Sequence, residues 1–380
     1  MTATALVNGR ILSGQDFIGG LGVVLEGERI AAVLPEPEAR ARADAVVDLE
    51  GGRLAPGFID TQVNGGGGVL FNDELSVEAI EAIGAAHRRF GSTGILPTLI
   101  SEDLGAIDRA MRAVEAAIAK GAPGVLGIHV EGPFLNAARA GIHDSAKFRI
   151  LDEEAAALLT SLKAGRPLVT LAPERTTPEM IRRLVAGGVV VSAGHTDASY
   201  DETRAALGAG LSGFTHLFNA MSPLASREPG VVGAALEDDS AWCGVIVDGR
   251  HVHSAVLKLA LRARPLERFM LVTDAMPTVG LAEKSFVLQG QTITVRDGVC
   301  VAPDGTLAGS DLDMARAVRN AVDLLGLTFP DAVRMASLHP AQFLGLDHRM
   351  GRIAPGLNAD LVLLDEHAGV AATWVAGRRY

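Results

Sequence analysis

The chain has 380 residues, 48% of them hydrophobic, so it is long and apolar enough to bury a large core in one or two domains. Its 34 Lys and Arg residues stand against 45 Asp and Glu residues, and the net charge of -11 argues against nucleic acid or an anionic membrane as a partner. Two cysteines, Cys243 and Cys300, exclude a disulfide framework and, lying in apolar runs, are expected to be buried thiols.

No segment of the sequence has the pattern of a signal peptide or of a membrane-spanning helix of about 20 apolar residues. We therefore expect a soluble, cytoplasmic protein.

Residues 1–53 contain short apolar runs separated by Gly and Pro, a pattern that predicts short strands joined by turns. The tail from residue 350 to residue 380 returns to the same β character after a helical stretch. We expect these two chain ends to form one small β-sandwich domain.

Residues 54–349 alternate apolar runs with Ala-rich helical segments, which is typical of parallel strands joined by helices. Eight strands are predicted, and eight is the number that closes a TIM barrel, (β/α)8. An insertion of one or two hairpins is expected over residues 285–307, with a turn at Asp297-Gly298. The predicted strands are 57–62, 94–99, 125–131, 168–171, 189–195, 213–216, 243–247 and 269–274.

Four of the predicted strands end on residues that can bind metals or transfer protons: Glu131, His195, His216 and Asp274. In a TIM barrel the carboxyl ends of all strands meet at one face, where the active site lies. Two imidazoles and one carboxylate are a ligand set that suits a divalent metal such as zinc, with one position left for water. A carboxylate beside that water, here Asp274, can transfer its proton.

Structural explanations compete with this interpretation. A single His at a strand end is more often a hydrogen-bonded structural residue than a ligand, and Asp is favoured as a helix N-cap. Three ligand-type residues at equivalent strand ends make the structural explanation weaker. His129 lies two residues before Glu131 on the same face of its strand, and we expect it to be a packed core histidine.

With these residues laid out, the chain resembles the N-acetylglucosamine-6-phosphate deacetylases, a family within the amidohydrolase superfamily. The resemblance covers nearly the whole length, and its specificity comes from the order of the motifs, each of which is weak alone. The motifs are Pro56-Gly57-Phe58-Ile59-Asp60 with Asn64-Gly65, His129 to Asn136, Ser192 to Thr196, Thr215 to Met221, Arg227 to Gly230, Asp248 to Val252 and Leu271 to Ala275.

The resemblance implies that Glu131, His195 and His216 bind the metal and that Asp274 is the general base and acid. It also implies that His143 contacts the amide carbonyl of the substrate and that the protein is a homodimer, with the phosphate end of the pocket near the partner subunit. The substrate-binding residues that it implies are Gly132, His143, Asn219, Ala220, Arg227 and His251.

One departure from the wider superfamily concerns the number of metal ions. Many amidohydrolases have His-x-His after the first strand and a lysine on the fourth, which together hold a second metal. This chain has Gln62-Val63-Asn64 at the first place and no lysine at the second. We therefore predict one divalent ion per subunit, with zinc as the first choice and iron or another divalent metal as alternatives.

The predicted reaction is the hydrolysis of N-acetyl-D-glucosamine 6-phosphate to D-glucosamine 6-phosphate and acetate. The same reaction on N-acetylgalactosamine 6-phosphate stays open, because the sequence does not reveal which C4 hydroxyl is recognised. A more distant alternative is hydrolysis of a cyclic amide, which the missing His-x-His and lysine disfavour. Another is a non-catalytic scaffold, which retention of the three metal ligands and Asp274 disfavours.

Overall fold

The structure is a computed structural model that describes residues 2–380. The N-terminal segment folds as predicted into short strands, with one short helix, α1 (Glu36–Arg42). Strand β1 (Ala3–Val7) pairs with β4 (Leu21–Glu26) and β6 (Ala45–Asp48), and β4 pairs with β5 (Arg29–Pro35), which gives a four-stranded sheet. The strands are β1 (Ala3–Val7), β2 (Arg10–Ser13), β3 (Asp16–Ile18), β4 (Leu21–Glu26), β5 (Arg29–Pro35), β6 (Ala45–Asp48) and β7 (Arg53–Pro56).

Eight parallel strands then form the barrel sheet, and each predicted strand is present. They are buried on both faces, which explains their nearly continuous apolar sequences. Two short strands, β9 (Gly65–Gly66) and β10 (Val69–Leu70), form a hairpin after the first barrel strand. The barrel strands are β8 (Phe58–Val63), β11 (Ser92–Ile100), β12 (Gly127–Glu131), β13 (Arg166–Leu171), β14 (Val190–Ala193), β15 (Gly213–Phe214), β16 (Trp242–Val245) and β17 (Phe269–Leu271).

The sheet is closed by contacts between its first and last strands. Val63 forms a parallel bridge with Ala275, and the Asp274 amide donates to the Gln62 carbonyl over 3.0 Å. Beneath this bridge the buried Asp60 carboxylate accepts a hydrogen bond from the Thr273 hydroxyl over 2.5 Å. The closed barrel places the ends of β8 and β17 side by side.

The helices lie outside the barrel and bury their apolar faces against it. Most begin at a side-chain cap: Ser199, for example, forms a capping box with Glu202 at the start of α6 (Tyr200–Gly208). Within residues 2–380, none of the helices combines the length and the apolar character needed to span a bilayer. They are α2 (Val77–Arg88), α3 (Leu104–Lys120), α4 (Glu153–Leu159), α5 (Pro178–Ala186), α6 (Tyr200–Gly208), α7 (Gly230–Glu237), α8 (Ser254–Ala263), α9 (Met314–Leu325), α10 (Phe329–Ala336) and α11 (Leu338–Phe343).

The predicted insertion is a four-stranded antiparallel sheet after the last barrel strand. Its central turn falls at Asp297-Gly298, as expected, where both residues have left-handed backbone angles. Ser310 at its end pairs with Ala275, which ties the insertion to the rim of the barrel. The strands are β18 (Ser285–Leu288), β19 (Gln291–Arg296), β20 (Val299–Val301) and β21 (Leu307–Ser310).

The tail returns to the N-terminal region through β22 (Leu361–Leu364), β23 (Val370–Val375) and β24 (Arg378–Arg379). Strand β22 pairs antiparallel with β7, so that a six-stranded sheet contains strands from both chain ends. Leu6, Leu54 and Trp374 share one apolar cluster between this sheet and the four-stranded sheet. The TIM barrel with a β-sandwich built from both ends is therefore confirmed, whereas the division at residues 53 and 350 stays a prediction.

Candidate active site

The four residues predicted at strand ends meet at the carboxyl-terminal face of the barrel. Glu131, His195 and His216 are buried, and one ligand atom of each lies within 4.8 Å of the others. Asp274 lines the same cavity, of about 360 Å³. The structure thus brings together side chains that are up to 143 positions apart in the sequence.

The backbone at three of these residues was not predicted. Strands β14, β15 and β17 end two or three residues before His195, His216 and Asp274, although the sequence predicted strands that reach them. Each of the three residues has a positive φ, of 49°, 35° and 52° respectively. Non-glycine residues adopt this conformation at a cost of about 1–3 kcal/mol each, and they concentrate at functional sites. The left-handed turn directs each side chain away from the strand and into the cavity.

The two imidazoles face each other and the carboxylate. His216 Nε2 lies 3.1 Å from His195 Nε2 and 3.1 Å from Glu131 Oε1. His195 Nδ1 lies 2.8 Å from the carbonyl oxygen of Arg139, so Nδ1 carries the hydrogen and Nε2 keeps its lone pair. Burial alone would raise the pKa of Glu131, but the close contacts of the His195 and His216 imidazoles with its carboxylate hold that pKa well below its ordinary value. Lone pairs and a carboxylate converging in this way fit a divalent cation.

His143 lies beside this cluster on the loop after β12, with its ring centroid 4.3 Å from that of His195. Burial, followed by the neighbouring imidazole of His195, lowers the pKa of His143 well below its ordinary value, so the ring is neutral. Its Nδ1 atom lies 2.8 Å from the hydroxyl oxygen of Ser101, which follows β11. The other ring nitrogen is thereby left for a ligand in the cavity.

Asp274 is held by two amide side chains from the end of β8. Asn64 donates to Asp274 Oδ1 over 2.7 Å, and Gln62 donates to the same oxygen over 3.2 Å. Gln62 also donates to both oxygens of Glu131 over 3.1 and 3.2 Å. Burial, followed by the negative charge of Glu131, raises the pKa of Asp274. The amides thus separate two carboxylates at the place where His-x-His would put metal ligands.

The sequence profile of the amidohydrolase family matches residues 53–379. The chain belongs to the amidohydrolase family. It is 46% identical over 330 residues to an N-acetylgalactosamine-6-phosphate deacetylase of Shewanella sp. (strain ANA-3), which covers 87% of this chain and 83% of that protein. It is 34% identical over 377 residues to an N-acetylglucosamine-6-phosphate deacetylase of Haemophilus influenzae, covering 98% of each. The crystal structure of an N-acetylglucosamine-6-phosphate deacetylase from Pasteurella multocida is similar with a TM-score of 0.95, 35% identity and coverage of 100% of this chain and 99% of that one.

The predicted substrate-binding residues of this amidohydrolase divide into two groups. His143, Asn219, Ala220 and His251 line the cavity, and His251 Nδ1 lies 2.6 Å from an oxygen of Asp248. In the described chain, Gly132 and Arg227 are not among the residues that line it. Gly132 is buried beside Ser101, and Arg227 lies on an exposed loop of residues 223–228. Their roles in substrate binding stay predictions.

The structural interpretation holds for His129. Its two ring nitrogens contact the hydroxyl groups of Thr98 and Thr170 at 3.2 and 2.8 Å, and burial lowers its pKa to about 4. It is the core histidine that the sequence predicted. Both cysteines are free and buried, as expected.

Sequence reasoning missed the contacts of Gln62 and Ser101. Gln62 was noted only as the residue in place of a histidine. Ser101 is a polar residue directly after an apolar strand, which is the pattern that identified Glu131, and the same rule would have found it.

Proposed function

We propose that this amidohydrolase removes the acetyl group from N-acetyl-D-glucosamine 6-phosphate and yields D-glucosamine 6-phosphate and acetate. The observation that carries the proposal is the meeting of Glu131, His195 and His216 with Asp274 and His143 in one cavity. The two relatives and the solved structure named above, which are hexosamine-6-phosphate deacetylases by name, support the choice of reaction.

We propose that Glu131, His195 and His216 hold one divalent metal ion, with zinc as the first choice and iron as an alternative. A bound ion of this kind polarises an amide carbonyl and lowers the pKa of water. The side chains beside this site support one ion rather than two. A second cation would need lone pairs at the positions of Gln62 and Asn64, but both residues place amide N–H groups there.

Asp274 is the group placed to transfer the proton. Both hydrogen bonds to its carboxylate go to Oδ1, which fixes the group and leaves Oδ2 without a hydrogen bond from the described residues. In the proposed reaction Oδ2 takes the proton of the attacking water and later delivers it to the leaving amine. His143 donates a hydrogen bond to the carbonyl oxygen as negative charge develops there.

The phosphate group would occupy the end of the cavity lined by Asn219, Ala220 and His251. His251 is oriented by Asp248, so its Nε2 atom is free to meet the ligand. Arg227 lies outside this cavity, and we propose that the protein is a homodimer in which this exposed loop contacts the partner subunit. Light scattering on purified protein tests the dimer, and a mass of one chain, 39.5 kDa, would contradict it.

The second candidate substrate is N-acetylgalactosamine 6-phosphate, which differs only in the configuration at C4. The Shewanella relative of that name is more identical to this chain than the Haemophilus protein, at 46% against 34%.

Acetate release tests the function directly. The two phosphosugar epimers and their unphosphorylated forms should be compared, each with and without a chelator. We expect release from a phosphorylated epimer that is lost with the chelator and restored by zinc. A preference of tenfold or more for one epimer decides between the candidates. No release from either epimer by metal-loaded protein would contradict the proposed function.

A further inference from the structure

Ser101 is placed to control the orientation and hydrogen position of His143. It follows β11, is 5% exposed, and contacts His143 Nδ1 through two groups. The hydroxyl oxygen lies 2.8 Å from Nδ1, and the backbone amide nitrogen of Ser101 lies 3.3 Å from the same atom. The hydroxyl group and the backbone amide of Ser101 thus both contact the same ring nitrogen of His143.

These contacts decide which nitrogen of the neutral ring carries the hydrogen. A backbone N–H can only donate, so His143 Nδ1 must present its lone pair and the hydrogen must reside on Nε2. The Ser101 hydroxyl has a second acceptor, the carbonyl of Glu131, but at 3.5 Å that contact is much longer. The hydroxyl hydrogen therefore points to His143 and strengthens the same arrangement.

Gly132 provides the space for the Ser101 hydroxyl. A Cβ atom on Gly132 would lie 2.3 Å from Ser101 Oγ, and Gly132 has a φ of 87° that disfavours any side chain. Any larger residue here would displace the hydroxyl from His143. This packing gives Gly132 a function at the site although it does not line the cavity.

We propose that Ser101 is a positioning residue that fixes His143 as an Nε2–H donor aimed at the amide carbonyl of the substrate, and that Gly132 leaves room for it. The inference rests on the proposed deacetylase function. Ser101 touches neither substrate nor metal in this scheme and acts only through His143.

The kinetic test is Ser101→Ala, compared with Ser92→Ala as the matched control. Ser92 begins the same strand and is 3% exposed, but its hydroxyl has no hydrogen-bond partner. We expect Ser101→Ala to lower kcat about 10- to 100-fold with KM changed less than about threefold, as for other residues that orient a reacting group. Ser92→Ala should keep kcat within about twofold.

A double-mutant cycle separates positioning from damage to the fold. In a His143→Ala background, adding Ser101→Ala should change kcat less than about twofold, because the group through which Ser101 acts is already gone. A further loss of tenfold or more would show that Ser101 acts elsewhere and would overturn the proposal.

A spectroscopic test needs no substrate. Nitrogen-15 NMR of histidine side chains in the zinc-loaded protein should show His143, assigned with His143→Ala, as the Nε2–H tautomer. The Nδ1–H tautomer would overturn the proposal even in an active enzyme. Conversely, the Nε2–H tautomer in a protein that releases no acetate would contradict the proposed function and leave the hydrogen-bond assignment intact.

Discussion

Two cavities lie at opposite ends of the barrel, and the larger one does not contain the converging side chains. The cavity at the amino-terminal ends of the strands measures about 810 Å³ and is lined by Trp242, Arg268 and His339, whereas the site at the carboxyl-terminal ends measures about 360 Å³. The difference lies in how the polar groups are satisfied.

At the larger cavity two buried polar side chains, those of His339 and Ser337, already have partners in the chain. His339 Nδ1 lies 2.7 Å from the Phe269 carbonyl oxygen, and the Ser337 hydroxyl donates to the Val333 carbonyl. At the smaller cavity His195 Nε2 and His216 Nε2 lie 3.1 Å apart, and both face the buried carboxylate of Glu131. Convergence of groups that need a ligand, and not volume, therefore distinguishes the two ends.

The largest test of this comparison is Asp274→Asn against Asp239→Asn, the same change at the other cavity. The first removes the proposed proton acceptor and should lower kcat by at least about 10³-fold, equivalent to about 4 kcal/mol. Its metal content should stay at the wild-type level, because Asp274 is not among the proposed ligands. Asp239→Asn should keep kcat within about twofold. Acetate release and elemental analysis measure both, and near-wild-type turnover in Asp274→Asn would remove Asp274 from its role.

A second test concerns the buried carboxylate of Asp60, which lies inside the barrel between the two cavities. Burial raises the pKa of Asp60 from 3.8 to about 7, partly offset by its hydrogen bond from Thr273. An acid whose pKa is raised on folding contributes stability below its unfolded pKa and loses it as pH rises through the folded pKa. The loss in the wild type therefore develops between about pH 4 and about pH 7.

Asp60→Asn should lack this loss. From about pH 4.5 to about pH 8, the unfolding free energy of the variant should rise relative to that of the wild type by at most about 4 kcal/mol. Chemical denaturation at the two pH values measures the change, and Asp239→Asn is the matched control. If the unfolding free energy of the variant instead falls relative to that of the wild type as the pH rises, Asp60 is ionised and stabilising in the folded protein.

The sequence predicted the barrel well because each central strand is buried on both faces and must be apolar throughout. Glu131 could be identified for the same reason: a carboxylate at the end of such a strand needs a ligand or hydrogen bonds. The strand-end rule located His195 and His216, since all barrel strands end at one face.

The conformations and contacts that complete the site depend on distant pairing and could not be predicted. The left-handed backbone at His195 and His216 is normally a glycine conformation, and nothing local indicates it. The double hydrogen bond of Gln62 depends on the alignment of β8 with β12 and with the end of β17. Arg227 was assigned by resemblance alone, and it lies on an exposed loop outside the cavity, so its role in substrate binding stays a prediction.

The third test asks whether the amide of Gln62 matters beyond filling space. Gln62→Met keeps the length of the side chain but removes the donor shared by Glu131 and Asp274. We expect kcat to fall about 10- to 100-fold because two carboxylates then face each other without a donor between them. Gln342→Met, at the larger cavity, is the control and should stay within about twofold. Equal activity of the two variants would mean that a bound cation alone separates the carboxylates.

The smallest expected effect is that of Arg268→Ala at the larger cavity. The guanidinium group lies over the Trp242 ring with 4.7 Å between its Cζ atom and the ring centroid. Removing this contact should lower the unfolding free energy by about 0.5–1 kcal/mol, and kcat should stay within about twofold. Thermal unfolding and acetate release measure the two quantities. A tenfold loss of turnover in a stably folded variant would break the comparison, because the cavity at the amino-terminal ends would then influence the chemistry at the other end of the barrel.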